Sequence, residues 1–181
     1  AFPLGTTEVT YTATDAAGHV TTASFDVVVT DGGAPEITVP SNMTVEATSA
    51  AGAVVTFTVS ATDAVDGDVL ATASPASGST FPIGVTTVNV TASDTSGNDA
   101  TPKSFTVTVQ DTIAPAITGV PAPAPVATTG GATTAVVTWA VPTATDAVGV
   151  TSFTTDHEPG AAFPLGTTEV TYTATDAAGH V

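Results

Sequence analysis

The sequence predicts an all-β protein built from tandem antiparallel β-sandwiches, and three observations support this fold class. Apolar residues alternate with polar ones, as in Val88, Val90 and Ala92, and a period of two is typical of half-buried strands. Turn signals rich in Gly, Asn and Asp separate the short strands, and no segment has a helical period. A unit of about 80 residues is repeated along the chain.

The repeats predict the organisation of the chain. Residues 1–20 return unchanged at residues 162–181, and a diverged copy occupies residues 80–98. Asp31 at the start of one unit corresponds to Asp111 at the start of the next. We therefore expect the chain to be a window on a longer tandem array. It would contain the C-terminal part of one repeat (1–30), a complete repeat (31–110) and a repeat that lacks its last strand (111–181).

The strands of the complete repeat follow from the alternation of its apolar residues. Six or seven short strands with no helix indicate an antiparallel sandwich. Trp139 aligns with Phe57, so we expect it to fill the core of the second repeat, and stacking on a carbohydrate is the alternative. The longer strands are predicted at 54–60, 88–93 and 105–110, and the shorter ones at 37–39, 44–47 and 69–73.

The composition excludes several classes of protein. The formal net charge is -16, with 17 acidic residues and 1 basic residue, which is Lys103. Nucleic acids and anionic membranes are bound through Lys and Arg, so we expect neither as a partner. The chain has 0 cysteines, which excludes disulfides and thiolate metal sites. No apolar run approaches the ~20 residues of a membrane-spanning helix, and no signal peptide is visible at Ala1.

Several motifs in the same order resemble the hyalin repeat (HYR) family. They are residues 31–37 (DGGAPEI), 61–63 (ATD), 81–88 (FPIGVTTV), 92–98 (ASDTSGN) and 105–111 (FTVTVQD). The resemblance covers the whole chain and implies an immunoglobulin-like sandwich from an extracellular, often tandem, adhesion protein. Many animal members carry a cysteine pair that this sequence lacks, which favours a prokaryotic surface protein.

The residues give little support to catalysis, and we expect the protein not to be an enzyme. His19 and His180 occupy one repeat position, where the middle copy has Asn98, and this exchange indicates turn chemistry. His157 lies between Asp156 and Glu158, where a solvated loop is favoured over a weak metal site. No HExxH, GxSxG or phosphate-binding glycine loop is present.

Calcium is a more serious hypothesis, because acidic residues recur in loops at the ends of the predicted sandwiches. Calcium takes six to eight oxygen ligands, mostly carboxylates and carbonyls. The alternative is that these residues only stabilise turns and aid solubility. Position 66 has no acidic counterpart in the second repeat, so we do not expect a uniform site. The candidate calcium ligands are Asp31, Asp63, Asp66, Asp68, Asp94, Asp99 and Asp111.

The leading functional hypothesis is a segment of an extracellular filament or cell-surface stalk. The linkers before Pro35 and Pro115 are short, and a short linker that ends in proline limits bending. At ~3.3 Å per strand residue, one repeat would be ~35–40 Å long and two repeats ~70–80 Å. The expected partners are identical repeats or subunits arranged head to tail, together with an unknown cell-surface or carbohydrate partner.

Two matters stay open at this level. The array is either one long polypeptide or a set of short chains joined by strand addition, in which residues 21–30 of a neighbour fill the gap in residues 111–181. The duplicated residues 1–20 argue against strand addition, because each chain would bring a redundant copy. The alternative function is a spacer or carbohydrate-binding module of a secreted multidomain enzyme, which needs an exposed aromatic platform.

Overall fold

The computed structural model describes residues 1–181, and its regular elements are all β-strands, which confirms the predicted all-β fold class. The hairpin of residues 1–30 contains β1 (Gly5–Thr14) and β2 (Val20–Val29). Residues 31–110 contain β3 (Glu36–Thr38), β4 (Met43–Glu46), β5 (Ala53–Val54), β6 (Ser60–Asp63), β7 (Gly67–Val69), β8 (Ala71–Ser74), β9 (Thr80–Phe81), β10 (Gly84–Ala92) and β11 (Lys103–Gln110). Residues 111–181 contain β12 (Ala116–Thr118), β13 (Thr134–Val136), β14 (Thr143–Thr145), β15 (Val150–Thr155), β16 (Ala162–Pro164) and β17 (Tyr172–Asp176).

The strands are organised in small sheets. One sheet has the order β4-β11-β10-β8 and another has the order β3-β6-β7. Two-stranded sheets are formed by β1-β2, β5-β9, β12-β14, β13-β16 and β15-β17. The pairing is antiparallel in most of these sheets, as predicted, but β4 and β11 run parallel, with Met43 opposite Val107. The sequence does not predict this parallel pair, because alternation does not encode the direction of a neighbouring strand.

Two of the predicted strands differ from the structure. Residues 54–60 were expected to form one strand, but regular strand covers only Val54, at the end of β5, and Ser60, at the start of β6. Val55 still forms backbone hydrogen bonds with Ser79 and Gly78. The inward orientation of Val55 is nevertheless correct, since it is buried. The strand expected at 69–73 is broken at Leu70, which is 82% exposed and separates β7 from β8. Period-two alternation reports which face is buried, and it does not report where the ladder is interrupted.

The chain divides into two compact units. One contains Ala1–Pro40, Phe57–Ala76 and Val88–Phe105, and the other contains Ser41–Thr56, Ser77–Thr87 and Thr106–Val181. The core of the first unit is formed by Ile37, Ala61, Val88, Val90, Ala92, Ala100 and Phe105. The core of the second unit is formed by Ala47, Ala53, Val55, Phe81, Val107, Val109, Phe163 and Ala174. These units do not follow the predicted repeat boundaries, which stay a prediction.

The burial of the long strands differs sharply along the chain. Alternate residues of β10 and β11 are buried, including Val88, Val90 and Val107, each with 0% exposure. The hairpin of β1 and β2 has the same type of sequence, but none of its residues is buried. The chain forms no helix that is long and apolar enough to span a bilayer.

Candidate functional site

A hydrogen-bonded turn follows β10 and fixes the carboxylate of Asp94. Its Oδ1 accepts a 2.7 Å hydrogen bond from the backbone amide of Asn98, and its Oδ2 accepts a second one, also of 2.7 Å, from the Asn98 side-chain amide. Gly97 has a φ of 88°, a left-handed conformation that glycine adopts without the steric cost of a side chain. The turn therefore holds a carboxylate that is 8% exposed in one orientation.

The same turn occurs at the two other copies of this repeat position, with histidine in place of asparagine. Asp15 accepts hydrogen bonds from the amide of His19 and lies 2.9 Å from its Nδ1. Asp176 does the same with His180, at 2.9 Å to the amide and 2.8 Å to Nδ1. The prediction that these histidines serve turn chemistry is confirmed.

Asp94 belongs to a cluster of three carboxylates, which we call the first cluster: Asp31, Asp66 and Asp94. One ligand oxygen from each lies within 4.8 Å of the others. Asp31 precedes β3, Asp66 lies in the turn between β6 and β7, and Asp94 follows β10. The topology therefore brings three separate loops together at one end of these strands.

The hydrogen bonds within the first cluster orient its members but leave one oxygen unsatisfied. Asp66 Oδ2 accepts 2.8 Å bonds from the amide and the hydroxyl of Thr95. Asp31 Oδ1 accepts a 2.9 Å bond from the amide of Gly33. The other oxygen of Asp31, Oδ2, is buried and has no hydrogen-bond partner. Leaving a carboxylate oxygen buried without a donor is costly unless a cation or water satisfies it.

The charge of the first cluster is not balanced by a protein side chain. Burial acts to raise the pKa of Asp94, but the hydrogen bonds from Asn98, Ser96 and Gly97 outweigh it and leave the pKa below its usual value. Asp94 is therefore ionised at neutral pH. Lys103, the only basic residue besides the histidines, lies elsewhere, with its Nζ 3.7 Å from Glu36 Oε1.

A second cluster occupies the corresponding place in the next repeat and consists of Asp111, Asp176 and His180. Its ligand atoms also lie within 4.8 Å of one another. Asp111 corresponds to Asp31, and its Oδ2 is likewise buried with no hydrogen-bond partner. Asp176 is 2% exposed. Each cluster thus contains a linker aspartate (Asp31 or Asp111) and a turn aspartate (Asp94 or Asp176). The third member is the carboxylate of Asp66 in the first cluster and the imidazole of His180 in the second.

Comparison with known proteins supports the family resemblance of the motifs. The HYR domain family matches residues 30–109 and again residues 110–181. This chain belongs to the HYR domain family. It is 39% identical over 186 residues to Hyalin of Strongylocentrotus purpuratus, and 34% identical over 189 residues to Hyalin of Lytechinus variegatus.

The alignments cover 99% of this chain in both cases, but only 15% and 35% of the two hyalins. The chain therefore spans a minor part of the HYR proteins it matches. Both relatives are animal proteins, so they give no support to the predicted prokaryotic origin, which stays a prediction.

The HYR fold brings together some of the predicted calcium ligands and leaves others apart. Asp31, Asp66 and Asp94 converge in the first cluster, and Asp111 lies in the second. Asp63 caps its own turn by accepting hydrogen bonds from the amides of Val65 and Asp66. Asp99 accepts a hydrogen bond from the Ser93 hydroxyl, and Asp68 is exposed. Asp63, Asp68 and Asp99 are members of neither cluster.

Sequence reasoning did not place Asp176 and His180 in a site with Asp111. The available signal was their repeat equivalence to Asp94, a predicted ligand, and to Asn98, which precedes the predicted ligand Asp99. His157, by contrast, lies with its Nδ1 3.0 Å from Asp156 Oδ1 and its ring 5.5 Å from that of Phe163. His157 belongs to neither cluster.

Trp139 was expected to fill the core of the second repeat, and its contacts agree with that role. Its ring lies 5.6 Å from that of Phe163 in an edge-to-face arrangement. Its Nε1 donates a 2.7 Å hydrogen bond to the Tyr172 hydroxyl. Trp139 and Tyr172 are both part-buried.

We expect the second cluster to make the stability of this HYR repeat depend on pH. The hydrogen bond to Asp176 raises the pKa of His180; burial opposes this, and the charges of Asp176, Asp111 and Glu46 assist it. A raised folded-state pKa adds stability that is complete below the unfolded value of ~6.5 and is lost as the pH rises through the folded value. In the wild type, the unfolding free energy should therefore decrease as the pH rises from ~6.5 through the folded-state pKa of His180. In His180→Asn this decrease should be smaller, and urea denaturation at several pH values measures it.

His19→Asn is the matched control, because it makes the same change at the same repeat position. The side chain of His19 is 83% exposed, whereas that of His180 is 37% exposed. We expect His19→Asn to change the unfolding free energy less than His180→Asn does. Equal pH profiles for wild type and His180→Asn would contradict the assigned role of His180.

Proposed function

We propose that this chain is a structural segment of an extracellular filament or cell-surface stalk, built from immunoglobulin-like HYR repeats with an adhesive or scaffolding role. The observation that carries the proposal is that two HYR matches follow each other directly, at residues 30–109 and 110–181. The linker prolines Pro35 and Pro115 each lie a few residues after the start of a match, and Pro35 is buried. Short linkers of this kind restrict the motion of neighbouring sandwiches.

The proposed partners are identical repeats or subunits arranged head to tail. A net charge of -16 disfavours nucleic acids and anionic membranes, which bind cationic surfaces. The proposal assigns the chain an extracellular location and no catalytic role.

Localisation and intact mass test this function. An antibody against residues 31–110 should label intact cells or the extracellular fraction. Labelling that needs permeabilised cells would contradict the proposal. On denaturing electrophoresis, a very large band indicates one long polypeptide, and a band near 17.5 kDa indicates assembled subunits.

We also propose that the first cluster binds a calcium ion through Asp31, Asp66 and Asp94. Three carboxylates from three loops supply the hard oxygen ligands that calcium prefers. The buried Asp31 Oδ2 has no hydrogen donor, so a cation would satisfy it. The second cluster offers an imidazole nitrogen, which suits transition metals better than calcium, so the calcium proposal concerns the first cluster.

Asp31→Asn tests the calcium proposal, because its effect on stability relative to the wild type should differ between chelator and calcium. With excess chelator this variant should be as stable as wild type or more stable, because it removes one of three repelling charges. Calcium at about 100 times its Kd should stabilise the wild type by about 2.7 kcal/mol and the variant by much less. Thermal unfolding with and without calcium measures both effects.

Asp68→Asn is the matched control, since Asp68 has the same charge but lies outside both clusters. Calcium should stabilise this variant as much as the wild type. The proposal fails if calcium leaves the wild type unchanged, or if it stabilises Asp31→Asn and Asp68→Asn equally.

A further inference from the structure

The second cluster, formed by Asp111, Asp176 and His180, offers a different set of metal ligands from the first. Its two carboxylates and one imidazole have ligand atoms within 4.8 Å of one another. Calcium takes oxygen ligands, whereas imidazole nitrogen suits zinc, copper, iron and nickel. Zinc in particular is bound by histidine nitrogen together with aspartate oxygen. The donor atoms of the second cluster therefore fit a divalent transition metal.

The turn after β17 fixes the relative position of two of these ligands. Asp176 Oδ1 accepts a 2.9 Å hydrogen bond from the backbone amide of His180, and Asp176 Oδ2 lies 2.8 Å from the ring Nδ1. The Asp176 side chain is 0% exposed and that of His180 is 37% exposed, so the pair is shielded but can be reached from solvent. Ligands that are fixed in this way bind a metal with a smaller loss of side-chain freedom.

An independent observation at Asp111 indicates that a cation belongs in the second cluster. Its Oδ2 is buried and has no hydrogen-bond partner, and its Oδ1 accepts only a long bond of 3.4 Å, from the amide of Ile113. The equivalent oxygen of Asp31 is also buried without a partner, so the feature recurs at this repeat position. A buried carboxylate oxygen that lacks a donor is costly unless a cation or water satisfies it.

The charge around the second cluster also favours a cation. The compact unit that contains the cluster, and that includes Thr106–Val181, has no lysine or arginine, since Lys103 belongs to the other unit. Glu46 adds a carboxylate beside the linker, held by 2.7 Å and 2.8 Å hydrogen bonds from the amide and the hydroxyl of Thr112, the residue after Asp111. A divalent cation would offset part of this negative charge.

We propose that the second cluster binds a divalent transition-metal ion of the zinc type through Asp111, Asp176 and His180. With three protein ligands, water would fill the fourth position of a tetrahedral zinc site. The ion would join the linker before β12 to the turn after β17. The site uses none of the residues of the first cluster, and it does not depend on the proposed filament.

The chain has 3 histidines, which makes zinc binding easy to locate. In long-range proton–nitrogen correlation spectra, one equivalent of zinc should shift the ring-nitrogen signals of His180 and leave those of His19 and His157 unchanged. His19 and His157 are internal controls, because each has a single aspartate partner and belongs to neither cluster. Excess calcium, which favours oxygen ligands, should not reverse the shift of His180.

His180→Asn removes the imidazole and keeps the turn, since Asn98 makes the same turn with Asp94. In isothermal titration calorimetry this variant should bind zinc at least ~10-fold more weakly than the wild type. The loss of a residue that only orients a metal ligand already costs about 10–100-fold in affinity. The matched control, His19→Asn, makes the same exchange at the same repeat position and should bind zinc as tightly as the wild type.

Asp111→Asn tests the ligand from the linker and should also weaken zinc binding by at least ~10-fold. Asp68→Asn removes the same charge outside both clusters and should leave zinc binding unchanged. Backbone amide spectra of each variant report whether it is folded, so that a loss of zinc binding is not confused with unfolding.

Three outcomes would overturn the zinc site. They are equal zinc-induced shifts at all the histidines, an equal zinc affinity of His180→Asn and His19→Asn, and an effect of calcium on the His180 ring that zinc does not produce. None of these outcomes bears on the proposed filament, which is tested by localisation and intact mass.

Discussion

Phe81→Ala is expected to destabilise the protein by about 3–5 kcal/mol, the usual cost of removing a fully buried phenylalanine. Phe81 lies on β9 and is 0% exposed. Its backbone pairs with Ala53 of β5. Because this pairing holds the backbone in place, we expect the structure to close only part of the cavity that the substitution leaves. Urea denaturation followed by far-UV circular dichroism measures the loss.

Two phenylalanines at the same repeat position provide the controls. Phe2 is 49% exposed, and Phe163 is 9% exposed. For Phe2→Ala we expect a change within about 0.5 kcal/mol in the monomer, as for most surface substitutions. For Phe163→Ala we expect a loss between the two. Equal losses for all three variants would contradict the burial pattern on which the fold assignment depends.

Gly52→Ala is the second substitution with a large expected effect, because two penalties combine at this residue. Gly52 has a φ of 107°, which an L residue rarely adopts. A Cβ at this position would lie near the carbonyl of Phe81, closer than any van der Waals contact, so the backbone of β9 would have to move. We expect a loss of more than ~3 kcal/mol, the sum of backbone strain and disrupted packing.

Gly84→Ala separates the two penalties. Gly84 has a φ of 110°, nearly the same as Gly52, but an added Cβ would meet nothing within 4 Å. Conformational strain alone should cost about 1–3 kcal/mol. Amide hydrogen exchange and chemical denaturation should rank Gly52→Ala as clearly the more damaging variant. A larger loss for Gly84→Ala would be inconsistent with the close approach of Gly52 to Phe81.

The sequence was sufficient to predict the fold class and the best strands, because both depend on local periodicity. The alternation at Val88 and Val90 predicts a strand with one buried face, and β10 has that face. The breaks in the ladder at residues 55–59 and Leu70 were not predictable from alternation. They depend on how the neighbouring strands are arranged, and that is a property of the tertiary fold.

The sequence was sufficient to predict that aspartates form the candidate site, but not which aspartates belong to it. Asp66 and Asp68 are two residues apart and look equivalent in sequence, but only Asp66 joins Asp31 and Asp94. The difference arises because Asp66 is bound to Thr95 across the site, whereas Asp68 is exposed on β7. The second cluster was not predicted, because the sequence assigned His180 only a role in its local turn. Its proximity to Asp111 is a long-range contact, which local patterns do not encode.

Imaging the native particle tests the proposed tandem array most directly. Electron microscopy of the purified extracellular material should show thin filaments or stalks with an axial repeat of ~35–40 Å, or of ~70–80 Å if alternate repeats are distinguishable. Isolated compact particles without an axial repeat, at concentrations where the intact protein is assembled, would contradict the array.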